Sequence, residues 1–126
     1  MGNCKKFEGL PCWQKTRELC QAISKLINKA RFQKDSNLNG QIWKAAGSAM
    51  DNIAEGFDDG SSREFIRFLG YSQRSCGEVQ SQLYSAFCGY INNSEFRIVY
   101  DLTSEYRKQI KGFRKCLRNY KKDLSV

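Results

Sequence analysis

A chain of 126 residues with one proline, ten glycines and a net charge of +8 can bury one core, and it is too short for two. One domain over residues 1–126, with a short N-terminal arm over 1–10, is therefore the expectation. No apolar run approaches the roughly eighteen residues of a membrane span, and no leader pattern is present, which reads as a soluble cytoplasmic protein without a membrane role.

Six cysteines (Cys4, Cys12, Cys20, Cys76, Cys88 and Cys116) stand without a C-x-x-C pair, and the chain has no histidine. That composition argues against a metal centre and offers no cofactor motif. The cysteines read as reduced thiols rather than disulfides, several of them packed as small hydrophobes. The opening "MGNC" is like the start of a doubly acylated chain at Gly2 and Cys4, but Lys6 stands where that pattern wants serine or threonine.

In chain order, a first helix is expected from Cys12 to Ala30. Trp13, Thr16, Cys20, Ile23, Ile27 and Ala30 recur at steps of three and four, with Cys12, Leu19 and Leu26 beside them. The second runs from about Leu38 to Ala54, with Leu38, Ile42, Ala45, Ala46, Ala49 and Ile53 on one side, small enough for close helix contact. The third opens at Ser61, where Ser61 and Glu64 have the spacing of a capping box, and continues through Phe65, Leu69, Ser72, Cys76, Val79, Leu83, Phe87 and Tyr90 to about Ile91. A cap at Asn93 or Ser94 starts the fourth, which carries Val99, Leu102, Tyr106, Ile110, Phe113, Leu117, Tyr120 and Leu124 on a narrow stripe. No segment alternates long enough to compete as a strand. The fold class is all-α, an antiparallel up-down four-helix bundle.

The segment between the second and third helices, "NIAEGFDDGSSREF", is polar enough to suggest a hydrolytic site or an oxygen-ligand metal loop. Each residue also has a structural use. Glu55-Gly56-Phe57 closes a helix, Asp58-Asp59-Gly60 turns, and Ser61 caps. With no histidine and no complete calcium-loop spacing, the structural reading prevails and no enzymatic activity is expected.

The stretches "FEGLPCWQKTREL", "GQIWKAAGSAMDNIAEGF" and "SSREFIRFLGYSQRSCGEVQSQL" resemble a family of small four-helix bundles encoded in intervening sequences of bacterial 23S ribosomal RNA genes. The resemblance rests on Leu10, Trp13, Gln14, Lys15, Gln41, Ala45, Ala46, the run Asn52 to Gly56, and Glu64, Phe65, Phe68, Leu69, Ser75 and Glu78. It covers residues from Phe7 to Ile91, and the fourth helix by pattern only. Ala49-Met50 replaces the family's usual aliphatic-proline pair. Gly70 is out of place inside a helix, where it costs about 1 kcal/mol against alanine. The resemblance implies a homopentamer, a ring of five bundles without known enzymatic activity. More distantly, the chain is similar to accessory variability proteins of diversity-generating retroelements, which implies binding to a reverse transcriptase and to nucleic acid.

Both ends of the chain are basic and the middle is acidic: residues 35–60 hold one base and five acids, residues 94–126 nine and four. On the fourth helix Arg107, Lys111, Arg114, Arg118 and Lys121 follow steps of four and three, with Lys108, Lys115 and Lys122 at intervals of seven. These eight residues share one arc, and no acid interrupts residues 107–122. A solvated face would account for them. So would a phosphate-binding strip for RNA or DNA, its avidity raised by repetition in an oligomer. Tyr106, Phe113 and Tyr120 fall on the apolar stripe and read as core rather than as base-stacking platforms. Trp43, Ile66, Tyr84 and Ile91 lie off the main faces and are the candidates for subunit contact. The reading that follows is a non-enzymatic, homopentameric nucleic-acid-binding scaffold, accessory to a reverse transcriptase or to structured RNA. The alternative is a protein-interaction module whose basic face meets an acidic partner.

Overall fold

The computed structural model describes residues 5–124, with side chains from 5 to 120, and every regular element among them is helical. A 3-10 turn at Phe7–Gly9 leads into α1 (Pro11–Ile27), where proline takes the first helical position and its missing N–H leaves nothing unpaired. The expected continuation to Ala30 does not occur. The chain turns at Asn28 and Lys29 and forms the one-turn helix α2 (Ala30–Gln33). Two interactions explain the break: Phe32 becomes fully buried, and the Asn39 side-chain amide donates to the Ile27 carbonyl at 2.8 Å.

Helix α3 (Ser36–Asp58) starts two residues before the expected boundary because the Asp35 carboxylate caps it, accepting from the Leu38 amide at 3.0 Å. It also runs through Gly56 instead of ending there. Gly56 is buried against the next helix, and the residue that leaves right-handed geometry is Gly60, with φ of +82°. Ser61 caps α4 (Ser62–Phe87) as its sequence spacing predicts, accepting from the Glu64 amide, while the Glu64 carboxylate pairs with Arg67 at 2.7 Å. Helix α4 ends four residues short of Ile91, since the Ala86 carbonyl gathers the amides of Gly89, Tyr90 and Ile91 into a closing turn. The cap of α5 (Asn93–Leu124) is Asn92 rather than Asn93 or Ser94. Asn92 accepts from the Glu95 amide, and its own amide donates to the Glu95 carboxylate, both at 2.8 Å.

The four long helices make a bundle in which α1 packs on α3 and α5, and α4 packs on α3 and α5. Along α3 and α4 the paired positions run in opposite senses. Ser48 meets Ser75 at 3.0 Å and Gly56 meets Phe65 and Phe68, while the Cys20 thiol donates to the Ala46 carbonyl at 3.2 Å. The core holds most of the predicted stripes, including Leu19, Ile23, Ile42, Ile53, Leu69, Val79, Leu83 and Ile110, but Phe87, at the last turn of α4, is 43% exposed. Tyr106 is buried among them, and its hydroxyl donates to Glu18 at 2.9 Å; burial is the largest cause raising its pKa.

One end of the bundle is tied across three connections. Phe32 stacks on Tyr90 with ring centroids 5.4 Å apart, the Tyr90 hydroxyl donates to Asp35 at 2.9 Å, and Lys29 pairs with Glu95. The Leu38 amide and then the Tyr90 hydroxyl hold the Asp35 carboxyl below its usual range. Lys29 and the Asn92 amide do the same for Glu95.

Candidate nucleic-acid interface

The basic residues of α5 divide into two groups. Arg107 and Arg114 are half-buried and lie across α4. Arg114 donates from Nε to the Ile66 carbonyl at 3.1 Å and from Nη1 to Gln73 Oε1 at 3.0 Å, and Arg107 donates from Nη1 to Gln80 Oε1 at 3.0 Å. Glycine makes room for both. A Cβ at Gly70 would stand 2.8 Å from the Arg114 guanidinium, and one at Gly77 would stand 3.3 Å from that of Arg107. Gly70 and Gln73 recur seven residues on as Gly77 and Gln80, matching the seven-residue step between Arg107 and Arg114. The out-of-place glycine of the sequence is thus a berth for an arginine.

The second group is free to meet a ligand. Lys108, Lys111, Lys115 and Arg118 are exposed, and none is ion-paired to a carboxylate among the described residues. Lys121 and Lys122 lie outside the residues whose side chains are described.

The sequence reading missed a contribution from α4. The Arg67 and Arg74 guanidiniums sit 5.7 and 5.2 Å from the centre of the Tyr71 ring, and Arg67 also approaches Phe68 at 5.4 Å. Desolvation lowers the pKa of Arg114, and the charges of Arg118 and Arg74 lower it further. Spacing of Arg67, Tyr71 and Arg74 at four and three was the available signal, and it becomes meaningful only once α4 is known to border α5.

The subunit-contact candidates separate as well. Trp43 and Tyr84 are 46% and 57% exposed, whereas Ile66 is half-buried and packed against the core. Ile91 is a correction: at 5% exposure it is part of this chain's own core, drawn inward by the turn that ends α4. Tyr84, Phe87, Phe96 and Tyr100 form one aromatic group, with ring centroids 4.9 to 5.7 Å apart. Tyr106 and Phe113 join the core or pack on it, as predicted, but Tyr120 is 63% exposed. The register explains this. Arg114 already reaches back to Ile66, so the end of α5 runs past the start of α4 at Ser62.

Glu55, Asp58 and Asp59 are exposed at the α3–α4 turn, and Asn52 donates to the Ser48 carbonyl at 2.8 Å. Among the described residues no three metal-ligating side chains come together, and no helix is long and apolar enough to cross a membrane. Burial pushes the Cys20 thiol up to about 11 and the Cys76 thiol up to about 12, which keeps both protonated and unreactive. Cys88 and Cys116 are exposed; Gly2 and Cys4 lie outside the described residues.

Taken together, these features define a helical bundle with an arginine- and lysine-rich flank along α5 and its seam with α4. The chain belongs to the 23S rRNA-intervening sequence protein family, whose family model matches residues 8–112. It is similar to a crystal structure of a protein with unknown function from the S23 ribosomal protein family of Bacteroides thetaiotaomicron VPI-5482. The TM-score is 0.75 at 22% identity, over 82% of this chain and 98% of that one. Among curated proteins, none matches.

Proposed function

We propose that the protein is a non-enzymatic nucleic-acid-binding scaffold of the cytoplasm, an antiparallel up-down bundle that assembles as a ring of five. RNA or DNA is held by phosphate contacts on the basic face of α5, in an accessory role to a structured RNA or a reverse transcriptase. The observation that carries this reading is the set of four exposed cations, Lys108, Lys111, Lys115 and Arg118, with no carboxylate pairing any of them among the described residues. Such a face gains most from a polyanion, which releases counterions when its phosphates are neutralised. The family's name, tied to ribosomal RNA genes, points the same way. Assembly is supported by the exposed Trp43, Tyr84 and Phe87, apolar surface that a single bundle leaves in water.

Fluorescence anisotropy with labelled RNA and DNA at several salt concentrations tests binding, and light scattering on the same samples tests assembly. Affinity should fall steeply with salt, and changing Lys108, Lys111 and Lys115 together to glutamine should lower the log-log slope by roughly three units on duplex. The particle should have five times the subunit mass. Absence of binding at low salt by an intact oligomer would overturn the nucleic-acid reading, and a stable monomer would overturn the ring.

A further inference from the structure

The unexplained feature of the α4–α5 seam is that Arg74, Arg114 and Arg118 come together there and none of them is ion-paired to a carboxylate among the described residues. Arg114 is immobilised by the Ile66 carbonyl and Gln73, with the edge of its guanidinium against Gly70. Arg74 follows Gln73 directly on α4 and is exposed, while Arg118 stands one turn beyond Arg114 on α5 and is exposed too. After desolvation, the charges of Arg118 and then Arg74 lower the pKa of Arg114. Glu64 compensates Arg67, but the Glu78 carboxylate, one turn from Arg74, pairs with no base among the described residues.

We propose that Arg74 and Arg118, on either side of the fixed Arg114, form a grip for the phosphodiester backbone of a nucleic acid, which therefore crosses from α5 onto α4. This rests on the nucleic-acid reading above and adds to it a place and a direction. Arginine suits the task because its planar fork can give two parallel hydrogen bonds to one phosphate. Arg114 supplies a charge that needs no ordering on binding, and that lowers the entropic cost of association. Tyr71 acts as a positioning residue. Its ring carries Arg67 and Arg74 at stacking distance, so its service is to orient guanidiniums rather than to receive a base.

The test uses the full chain in its native assembly, with labelled single-stranded RNA, single-stranded DNA and duplex DNA. Arg74→Gln should weaken binding about tenfold and lower the duplex salt slope by about one unit, whatever the sequence. Arg74→Lys should keep the slope and lose part of the affinity, since the charge stays and the fork goes. Tyr71→Leu alters no charge, so the slope should hold while affinity drops about threefold. Lys44→Gln, on the exposed side of α3, is the control for net charge and should change neither. If Arg74→Gln matches wild type while wild type binds, the grip is overturned and the α5 face stands. An equal effect from Lys44→Gln also overturns the grip, by reducing it to overall charge. No binding by wild type overturns both readings.

Discussion

Replacing Gly56 with alanine should destabilise the protein by about 1–3 kcal/mol, although alanine is the better helix former. The added Cβ would stand 2.6 Å from Phe68 Cβ and 3.2 Å from the Phe65 ring. Phe68 Cβ is fixed to its backbone and cannot swing aside, so α3 and α4 would have to separate. Separation strains the Ser48–Ser75 contact and the hydrogen bond from Ser72 to the Ala49 carbonyl, both on the same seam. Gly47→Ala is the internal comparison, because nothing lies within 4 Å of its Cβ position and only the helical gain of up to about 1 kcal/mol remains. Urea denaturation of the two variants should therefore move the midpoint in opposite directions. Equal stabilisation by both would mean that Gly56 is not a point of close approach.

Phe32→Ala should have the larger effect, a loss of about 3–5 kcal/mol. Phe32 is fully buried although it comes from a helix of one turn, and its neighbours cannot collapse into the space without dragging the α1–α3 connection with them. Its stacking partner Tyr90 also reaches Asp35, so the cap of α3 and the turn after α4 lose a shared support. Chemical denaturation measures the loss. Phe32→Leu, which keeps most of the apolar volume, should recover more than half of it. A cost below about 1 kcal/mol for the alanine variant would mean that this residue is not part of the core.

The long helices were legible because apolar residues at steps of three and four mark a buried face whatever it is buried against. Ser61 was legible for a similar reason, since a cap acts within one turn. The Asp35 and Asn92 caps were misplaced although they too act within one turn, and the other errors fall where the partner is distant. Gly56 beside a turn looks like a helix end, and only the nearness of Phe68 makes it a contact point. Ile91 lies off the third helix's main stripe, yet the turn at Ala86 folds it inward. Arg107 and Arg114 belonged to one arc with the lysines by spacing, but Gly70 and Gly77 across the seam draw the two arginines out of that set. Arg74 went unread as a neighbour of the α5 arginines because that depends on which helix stands beside α4.

The paired berths on α4 carry a consequence for how this sequence can change over time. Alanine at position 70 would push against the Arg114 guanidinium, which would lose its bonds to Ile66 and Gln73. With alanine also at position 114 the obstruction is gone, and the same change gains about 1 kcal/mol of helical preference. The effect of the mutation should therefore depend on its background, and a double-mutant cycle on Gly70 and Arg114 should measure a coupling above zero. Gly77 and Arg107 repeat the arrangement more loosely, at 3.3 Å, so their coupling should be weaker. Exchanging the glycine and the arginine together should therefore cost less than exchanging the glycine alone, and the difference should be larger at the tighter pair.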